Sequence, residues 1–235
     1  MGAPREVAHM NDPVDPGAEP PEARGARRRL LREGLRLFVQ HGFASVSTRQ
    51  ICVAAGVTQP SLYHHFGSKE GLYLAVVEEW LADMRLAMTQ AIAQGTTFRA
   101  RLHNLAIFFW SGRAGEYQAM QHDAMQHLPP DSILRLRGTI IASVVTPLLT
   151  LMNEGMASGD LPAQANSYAL MELYWAVVDG FTGLYHRGDL LPPPERNTAA
   201  IDLFLAGANA LSPEAFTDWP TLSAFERLKG DTADG

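Results

Sequence analysis

The 235-residue chain contains a single cysteine, Cys52, so it cannot form an internal disulfide. It also lacks an uninterrupted apolar run of about 18 residues and an amino-terminal signal-peptide pattern. We therefore expect no membrane-spanning helix and a cytoplasmic protein, in which a reduced thiol is normal. Cys52 falls on the apolar side of a short helix. We expect it to be an inert packing residue, with a redox sensor as the alternative.

Signatures of catalysis are missing as well. There is no nucleophile elbow, phosphate-cradling glycine loop or metalloprotease motif. The densest group of metal-ligating residues is His122, Asp123 and His127. A five-residue spacing places the two histidines about 140° apart on a helix, whereas chelation favours neighbours four residues apart. We expect neither enzyme activity nor a bound metal or cofactor.

Positive charge is scarce overall, with 19 Lys and Arg against 25 Asp and Glu, but it is concentrated in one segment. Residues 24–69 hold eight basic residues and one acid, Glu33, which is a net charge of +7. Residues 1–23 carry −4 and residues 70–235 carry −9. A concentrated basic segment is typical of proteins that neutralise nucleic-acid phosphates. An ordinary solvated basic helix is the alternative, but it does not explain why the charge coincides with the motif described next.

A short helix is predicted directly after this basic stretch. Ser47 or Thr48 can cap its amino terminus, because short hydroxyl side chains accept hydrogen bonds from free backbone N–H groups. Gly56 marks its end, since the residue after a helix often adopts the left-handed conformation that glycine tolerates. The apolar face is expected at Ile51, Ala54 and Ala55.

A second short helix follows at once. Val57 can fill the angle between the two helices, Thr58 can cap the second, and Pro60 falls in its first turn, where a missing N–H does no harm. A longer helix then starts at Ser68. This order is a helix-turn-helix, whose second helix enters the DNA major groove.

The motif resembles that of the TetR family of bacterial transcriptional regulators over roughly residues 27–75. The similarity rests on Leu37-Phe38, Gly42-Phe43, Thr48-Arg49-Gln50-Ile51, Ala54-Ala55-Gly56-Val57 and the run from Ser61 to Leu72, SLYHHFGSKEGL. The resemblance implies an all-α fold of about nine helices. It implies a three-helix DNA-binding domain, a larger helical domain for ligand binding and dimerisation, and a homodimer on a palindromic DNA operator. It also implies a repressor that a small hydrophobic effector releases.

The start of the second short helix carries the polar side chains best placed to read bases. Gln59 is the strongest candidate because glutamine can pair bidentately with adenine. The family often has Lys or Gly around positions 59 and 60, where this chain has Gln and Pro, so the operator cannot be inferred by analogy. Phosphate contacts of Tyr63 and His64 are implied by the resemblance, while His65 and Phe66 are expected to pack inward. The predicted DNA-binding residues are Arg28, Ser47, Thr48, Arg49, Thr58, Gln59, Pro60, Ser61, Tyr63, His64 and Lys69.

Hydrophobic periodicity and helix breakers divide the whole chain into helices. Helices are expected at about 24–41, 68–94, 98–111, 115–127, 132–157, 165–187 and 195–210, besides the two short ones. Asp131 or Ser132 can cap the helix at 132–157, and Pro147 predicts a kink near Ser143 and Val144. The predicted divisions are a tail at 1–23, a DNA-binding domain at 24–71, an effector-binding and dimerisation domain at 72–210, and a tail at 211–235.

The larger domain is rich in methionine and aromatic residues, which line pockets for hydrophobic ligands but occur more often in ordinary cores. Because the family holds its effector between these helices, we predict a pocket there. Its residues are expected to be Trp80, Met84, Met88, His103, Phe109, Trp110, Tyr117, Met120, Met152, Met171 and Trp175.

The helix predicted at 165–187 is apolar around most of its circumference, so it must be buried on two sides. The resemblance implies that this helix and the helix at 195–210 form a four-helix dimer interface with the same two helices of a second subunit. A deep core within one chain is the alternative. Two other functions remain open: a dimeric DNA-binding regulator without an effector, and a helical small-molecule-binding protein without a role on DNA.

Overall fold

The structure is a computed structural model that describes residues 21–183 and 194–216; the side chains of 21–22, 112–119, 121, 181–183, 194–196, 213 and 216 are not included. These residues form nine helices and no strand, which confirms the predicted all-α fold. The helices are α1 Pro21–Ser45, α2 Thr48–Ala55, α3 Gln59–Phe66, α4 Lys69–Ala93, α5 Phe98–Phe108, α6 Ala114–His127, α7 Pro130–Ser158, α8 Ser167–Gly183 and α9 Pro194–Ala210. A 3₁₀ turn, Pro213–Phe216, follows. Most of the predicted tails, residues 184–187 and the side chain of Tyr117 lie outside the described part.

We refer to α1–α3 as the head and to α4–α9 as the body. Within the head, α1 departs from helical geometry at Gly42, whose φ of 75° and ψ of 160° suit glycine. The helix was predicted to end there, but one further turn carries it to Ser45. The fully buried Leu30, Ile51 and Leu62 join the three helices in a small core.

Local capping accounts for α2. The Ser47 hydroxyl accepts a hydrogen bond from the Gln50 backbone N–H at 3.2 Å, and the Gln50 side chain accepts one from the Ser47 N–H at 2.8 Å. Gly56 ends the helix in the left-handed conformation, as predicted, with φ of 61°. The predicted apolar face needs one correction. Ala54 is exposed, whereas Ile51 and Ala55 are buried as predicted, together with Cys52, which was also expected on the apolar side.

The long helix α4 starts next to the head and continues through the body. Ser68 caps it by accepting the Gly71 N–H at 3.0 Å. Its first turns are buried against α1, where a Cβ added to Gly34 would lie 3.1 Å from Val76 Cγ2. Leu72 and Tyr73 are fully buried. Since the head and body share this core, the division expected between residues 71 and 72 stays a prediction.

The connection between α5 and α6 differs from the prediction. A break was expected at residues 112–114, but Phe109–Arg113 forms a π-helical segment that joins the two helices. The polar groups nearby explain why this wider turn is held in place. Trp110 Nε1–H donates to the Val178 carbonyl of α8 at 3.0 Å, and the Ser111 hydroxyl donates to the Phe108 carbonyl.

The helix α7 begins at Pro130 with Pro129 as its cap, so the predicted capping by Asp131 or Ser132 is wrong. Proline cannot donate a backbone hydrogen bond, which suits a first turn. Where a kink was predicted near Ser143 and Val144, before Pro147, the helix contains a π-helical segment, Ile141–Val145. The helix α7 is long and apolar enough to cross a membrane, but the core helix of a soluble protein satisfies the same criterion of length and composition. Here it is tied to its neighbours by two ion pairs, Arg135–Glu78 and Arg101–Glu154.

The last two long helices complete the body. Tyr174 of α8 is fully buried, packs edge-on against Phe204 of α9 with ring centroids 5.4 Å apart, and donates its hydroxyl to the Leu102 carbonyl at 2.8 Å. Burial raises the pKa of this phenol well above its usual value, so it remains a neutral donor. At the start of α5, Gly155 of α7 allows the Phe98 ring to approach closely.

Candidate nucleic-acid interface

The first turn of α3 presents its polar side chains to solvent. Thr58, Gln59 and Pro60 are exposed and Ser61 is half-buried. Thr58 is the N-cap as predicted, but its side chain makes no capping hydrogen bond, so the hydroxyl is available for another partner. Leu62 is the buried residue that attaches this helix to the core. The helix thus offers its amino-terminal end to a partner, as a recognition helix requires.

Three of the predicted DNA-binding side chains form one connected group. The Gln59 amide donates to Thr48 Oγ1 at 3.4 Å, and Thr48 Oγ1 lies 3.4 Å from the Tyr63 hydroxyl. These contacts place the amino terminus of α2 beside the exposed face of α3. Ser47 and Arg49 are exposed next to them, and His64 is exposed one residue beyond Tyr63.

A shallow groove of about 430 Å³ separates α2 from the start of α3. Arg49 and Gln59 line it together with Val53, which is 77 % exposed. The sequence reasoning missed Val53. An exposed valine beside polar readers can contact a thymine methyl group, but nothing in the local pattern distinguishes that position from an ordinary surface residue.

Lys69 lies at the start of α4, half-buried, with Nζ 4.1 Å from the centroid of the Phe43 ring. Burial lowers the pKa of its ammonium, while the nearby carboxylates of Glu70 and Asp123 act in the opposite direction. Glu70 occupies the first turn of α4. Its own backbone N–H, followed by the Ser68 hydroxyl, lowers the pKa of its carboxyl group, as expected at the positive end of a helix.

The arginines of α1 differ in the partners that they contact. Arg28 is exposed, but Arg32 and Arg36 both pair with Glu33, at 3.2 and 2.9 Å. Hydrogen bonding to Arg36 and then to Arg32 lowers the pKa of the Glu33 carboxyl group. Arg29 donates from Nε to the Ala55 carbonyl at the end of α2.

The residues after Tyr63 behave as expected. His65 and Phe66 are half-buried, and the Arg27 guanidinium lies 5.6 Å from the centroid of the Phe66 ring. The basic helix α1 is therefore attached directly to the back of α3. Cys52 is buried too, and burial raises the pKa of its thiol, which agrees with a packing role.

Most of the residues predicted to hold an effector lie in the packed interior of the body. Phe109 is buried and packs edge-on against the half-buried Trp175, with ring centroids 4.7 Å apart. His103 lies 3.4 Å from the amide nitrogen of Asn197, whose buried Oδ1 has no hydrogen-bond partner. The buried members of the set are Trp80, Met84, Met88, Phe109, Trp110, Met120, Met152 and Met171.

Two grooves on the body were not anticipated. One of about 340 Å³ lies between α1 and α4, and Trp80 lines it together with Arg28 and Asp83. Trp80 is thus placed next to the head as well as in the core. A second groove of about 440 Å³ runs between α4, α5 and α7, where Arg85, Arg101 and Pro147 are among its lining residues.

The histidine cluster serves a structural purpose in the described part of the chain. His122 Nε2 lies 3.0 Å from the Gln126 amide, and His127 Nδ1 lies 3.2 Å from Asp123 Oδ1. The other carboxylate oxygen of Asp123 accepts the Phe43 backbone N–H at 2.6 Å. No group of three metal-ligating side chains occurs among the described residues.

Comparison with known proteins agrees with this geometry. Residues 30–76 match the model for bacterial regulatory proteins of the tetR family. The HTH-type transcriptional repressor KstR2 of Rhodococcus jostii is 31 % identical over 106 residues, which are 44 % of this chain and 52 % of that protein. The transcriptional regulator AcuR of Cereibacter sphaeroides is 28 % identical over 172 residues, which are 68 % of this chain and 76 % of that protein. The chain therefore spans about half the length of the first of these relatives.

The likeness in fold extends further along the chain. The structure of the fatty acid degradation regulator FadR from Bacillus halodurans superposes with a TM-score of 0.62, covering 80 % of this chain and 96 % of that one. The two are 15 % identical in sequence, so the likeness concerns the fold alone.

Proposed function

Because residues 30–76 match the model for bacterial regulatory proteins of the tetR family, we propose that this chain is a homodimeric transcriptional repressor of that family, which a small hydrophobic effector releases from its operator. One observation carries the DNA-binding part: Thr48, Gln59 and Tyr63 form a connected, largely exposed polar surface at the start of α3. Each subunit would place this helix in one major groove of a palindromic site.

Two variants separate base reading from phosphate binding. Gln59→Ala should lose discrimination at one base pair, by about 1–3 kcal/mol, while Lys69→Ala should weaken binding to all sequences alike. The measurement is a binding titration over single-base variants of DNA from the chain's own upstream region, repeated at several salt concentrations. Gln90→Ala, at an exposed position far along α4, is the control. Equal losses on every DNA variant for Gln59→Ala would refute its role as a base reader.

The support for dimerisation comes from α8. Its buried side carries Leu170, Tyr174 and Val178. A second stripe with helical spacing is exposed or half-buried and consists of small or apolar residues: Leu173, Ala176, Val177 and Gly180. A helix with two apolar faces needs a second partner, and a second copy of α8 with α9 supplies one.

Sedimentation equilibrium at micromolar concentration tests the dimer and should report about twice the chain mass of 25.7 kDa. Val177→Glu should shift the mass toward that of one chain, because it places a charge in the interface. Ala82→Glu, at an exposed site on α4, should not. A well-behaved parent monomer would exclude the dimer and the half-site geometry with it.

The effector proposal rests on the methionine and aromatic side chains between α4, α5 and α8. Ala106 of α5 is fully buried among them, so Ala106→Phe should fill space that an effector would occupy. Overpacking of this kind costs about 1–3 kcal/mol, which a large core can tolerate. The variant should bind DNA but no longer release it, and ligand should not raise its melting temperature as it does for the parent. Ala82→Phe is the control, and normal release by Ala106→Phe would place the effector elsewhere.

The regulator without an effector remains the second candidate, because the same packed residues serve equally well as an ordinary core. Mass spectrometry of small molecules that copurify with the native protein distinguishes the two. A bound apolar molecule supports the effector, and its removal should lower the melting temperature through mass action.

A further inference from the structure

The body contacts the head at a point separate from the continuous helix α4. Asp123 of α6 accepts the Phe43 backbone N–H at 2.6 Å, across 80 residues of sequence. Gly42 makes this contact feasible, because its positive φ turns the chain out of helical geometry immediately before Phe43. A Cβ at residue 42 would also lie 3.8 Å from Asp123 Oδ1.

The Phe43 ring connects this contact to the DNA side of the head. Phe43 is 7 % exposed and packs edge-on against Tyr73, with ring centroids 5.0 Å apart. The His127 ring is tilted relative to the Phe43 ring, with centroids 5.4 Å apart. The Lys69 ammonium lies over the Phe43 ring at 4.1 Å. A cation over an aromatic face is attracted by the ring quadrupole, so the position of the ring influences where the ammonium lies.

We propose that Asp123 is a positioning residue for DNA binding: through the Phe43 backbone and ring, it holds Lys69 where its ammonium can bind phosphate. A displacement of α6 would then weaken DNA binding directly, without a tilt of α4. The inference rests on the proposed function, in which Lys69 contacts DNA.

The geometry makes this contact sensitive to small movements of α6. Hydrogen bonds to a charged acceptor are short and weaken steeply beyond about 3.5 Å, so a shift of about 1 Å removes this one. Two further contacts tie α6 into the structure. The Tyr73 hydroxyl donates to the Met120 carbonyl at 3.0 Å, and Trp110, in the segment that leads into α6, donates to α8. Movement within the body therefore has a route to Asp123.

The first test compares two substitutions that remove the same charge. Asp123→Asn and Asp202→Asn each remove one negative charge from the body, and Asp202 lies on α9, where it pairs with Arg99. Charge alone predicts that both variants bind DNA slightly more tightly. If Asp123 positions Lys69, Asp123→Asn should instead bind about tenfold more weakly, because the neutral amide oxygen of asparagine accepts the Phe43 N–H less strongly than the carboxylate does. The salt dependence of DNA binding by this variant should also fall, by the amount expected for about one phosphate contact. A general loss of stability would not cause this change.

A double-mutant cycle with Lys69→Ala tests the route. In the Lys69→Ala background, Asp123→Asn should cause little further loss, because the contact that it supports is already absent. Phe43→Leu keeps the backbone donor and the apolar volume but removes the aromatic ring, so it should reproduce the reduced salt dependence. Additive losses in the cycle would exclude the route through Lys69, and Asp123→Asn binding as tightly as the Asp202→Asn control would overturn the proposal.

Amide hydrogen exchange at Phe43 separates this proposal from the proposed function, because it needs no DNA. Asp123→Asn should accelerate exchange of the Phe43 N–H, whereas Asp202→Asn should not. Unchanged exchange would show that the contact does not hold Phe43 and would overturn the inference even if the parent binds DNA. A third outcome is that Asp123→Asn accelerates exchange but the parent protein binds no DNA at any salt concentration. The contact would then hold Phe43, but both the proposed function and the role of Asp123 on DNA would be refuted.

Discussion

The head and the body are stabilised in different ways. In the head, the short helix α2 is specified by contacts between residues close in sequence, namely Ser47 with Gln50 and the left-handed Gly56. In the body, long helices are held by apolar packing and by a few buried hydrogen bonds between distant residues, such as Tyr174 with Leu102. The head presents polar side chains outward, and the body encloses its largest side chains.

This difference indicates where amino-acid substitutions can be tolerated. A small core with few buried residues depends strongly on each of them, whereas a large one distributes the loss. A surface that must fit DNA has to keep its geometry, while a pocket for an apolar molecule only has to adapt its shape. The four predictions below test how independent the two parts are.

The largest effect is expected for Leu62→Ala, which removes the side chain that buries α3. Loss of a fully buried leucine costs about 2–5 kcal/mol. We expect the head to unfold at a lower temperature than the body, giving two transitions in circular dichroism and a loss of DNA binding. Sedimentation should still report a dimer. A single unfolding transition at a lower temperature would contradict separate unfolding of the head and the body. It would show that the shared core around α4 joins them in one cooperative unit.

The next effect concerns close packing in the body. A Cβ at Gly155 would lie 2.4 Å from Phe98 Cζ, so Gly155→Ala should destabilise by about 1–3 kcal/mol. Gly138, on the same helix, has no neighbouring atom within 4 Å of the added Cβ. Gly138→Ala should therefore stabilise by up to about 1 kcal/mol through helix propensity. Opposite signs in urea denaturation would support these contacts, and similar signs would contradict them.

A smaller effect is expected from the two caps of the head. Ser47→Ala should cost about 1 kcal/mol, because the hydroxyl accepts a backbone N–H. Thr58→Ala should cost less, because its side chain makes no such bond, but it should weaken DNA binding more than stability. Urea denaturation and DNA titration of both variants measure this. Equal stability losses would mean that Thr58 caps α3 in solution after all.

The smallest effect is expected at the ion pair between α7 and α4. Arg135 contacts both carboxylate oxygens of Glu78, at 2.7 and 2.8 Å, but its side chain is 65 % exposed. Arg135→Gln should cost only about 0.2–1 kcal/mol, and less at high salt. A loss that exceeds the cost of Ser47→Ala would indicate that this pair stabilises the body more than surface exposure suggests.

The parts of the fold that were predicted correctly depend on neighbours in sequence. Helix ends could be predicted at Ser47, Gly56 and Ser68, because capping involves residues two to four positions apart. Pro147 marked the π-helical segment before it, since a residue without an N–H disturbs the preceding turn. The segment at 109–113 contains no proline, and nothing in its sequence indicated a wider turn.

The features that were missed depend on distant residues. Asp123 was considered only as a metal ligand, because its partner, the Phe43 backbone N–H, carries no side-chain signal in the sequence. The exposure of Ala54 depends on how α2 packs against α1. A pocket and a core require the same apolar residues, so composition could not separate the two roles of the methionines.

The uneven distribution of charge along the chain has a consequence for kinetics. Residues 24–69 carry +7 while the rest of the chain is acidic, with −9 over residues 70–235. The molecule is therefore an electric dipole, and under the proposed function the field of a DNA duplex would turn it as it approaches, attracting the head and repelling the body. When the body meets DNA first, the two molecules separate quickly. More of the remaining collisions bring α3 near the groove, which raises the association rate at low salt, and added salt should slow association by screening this field.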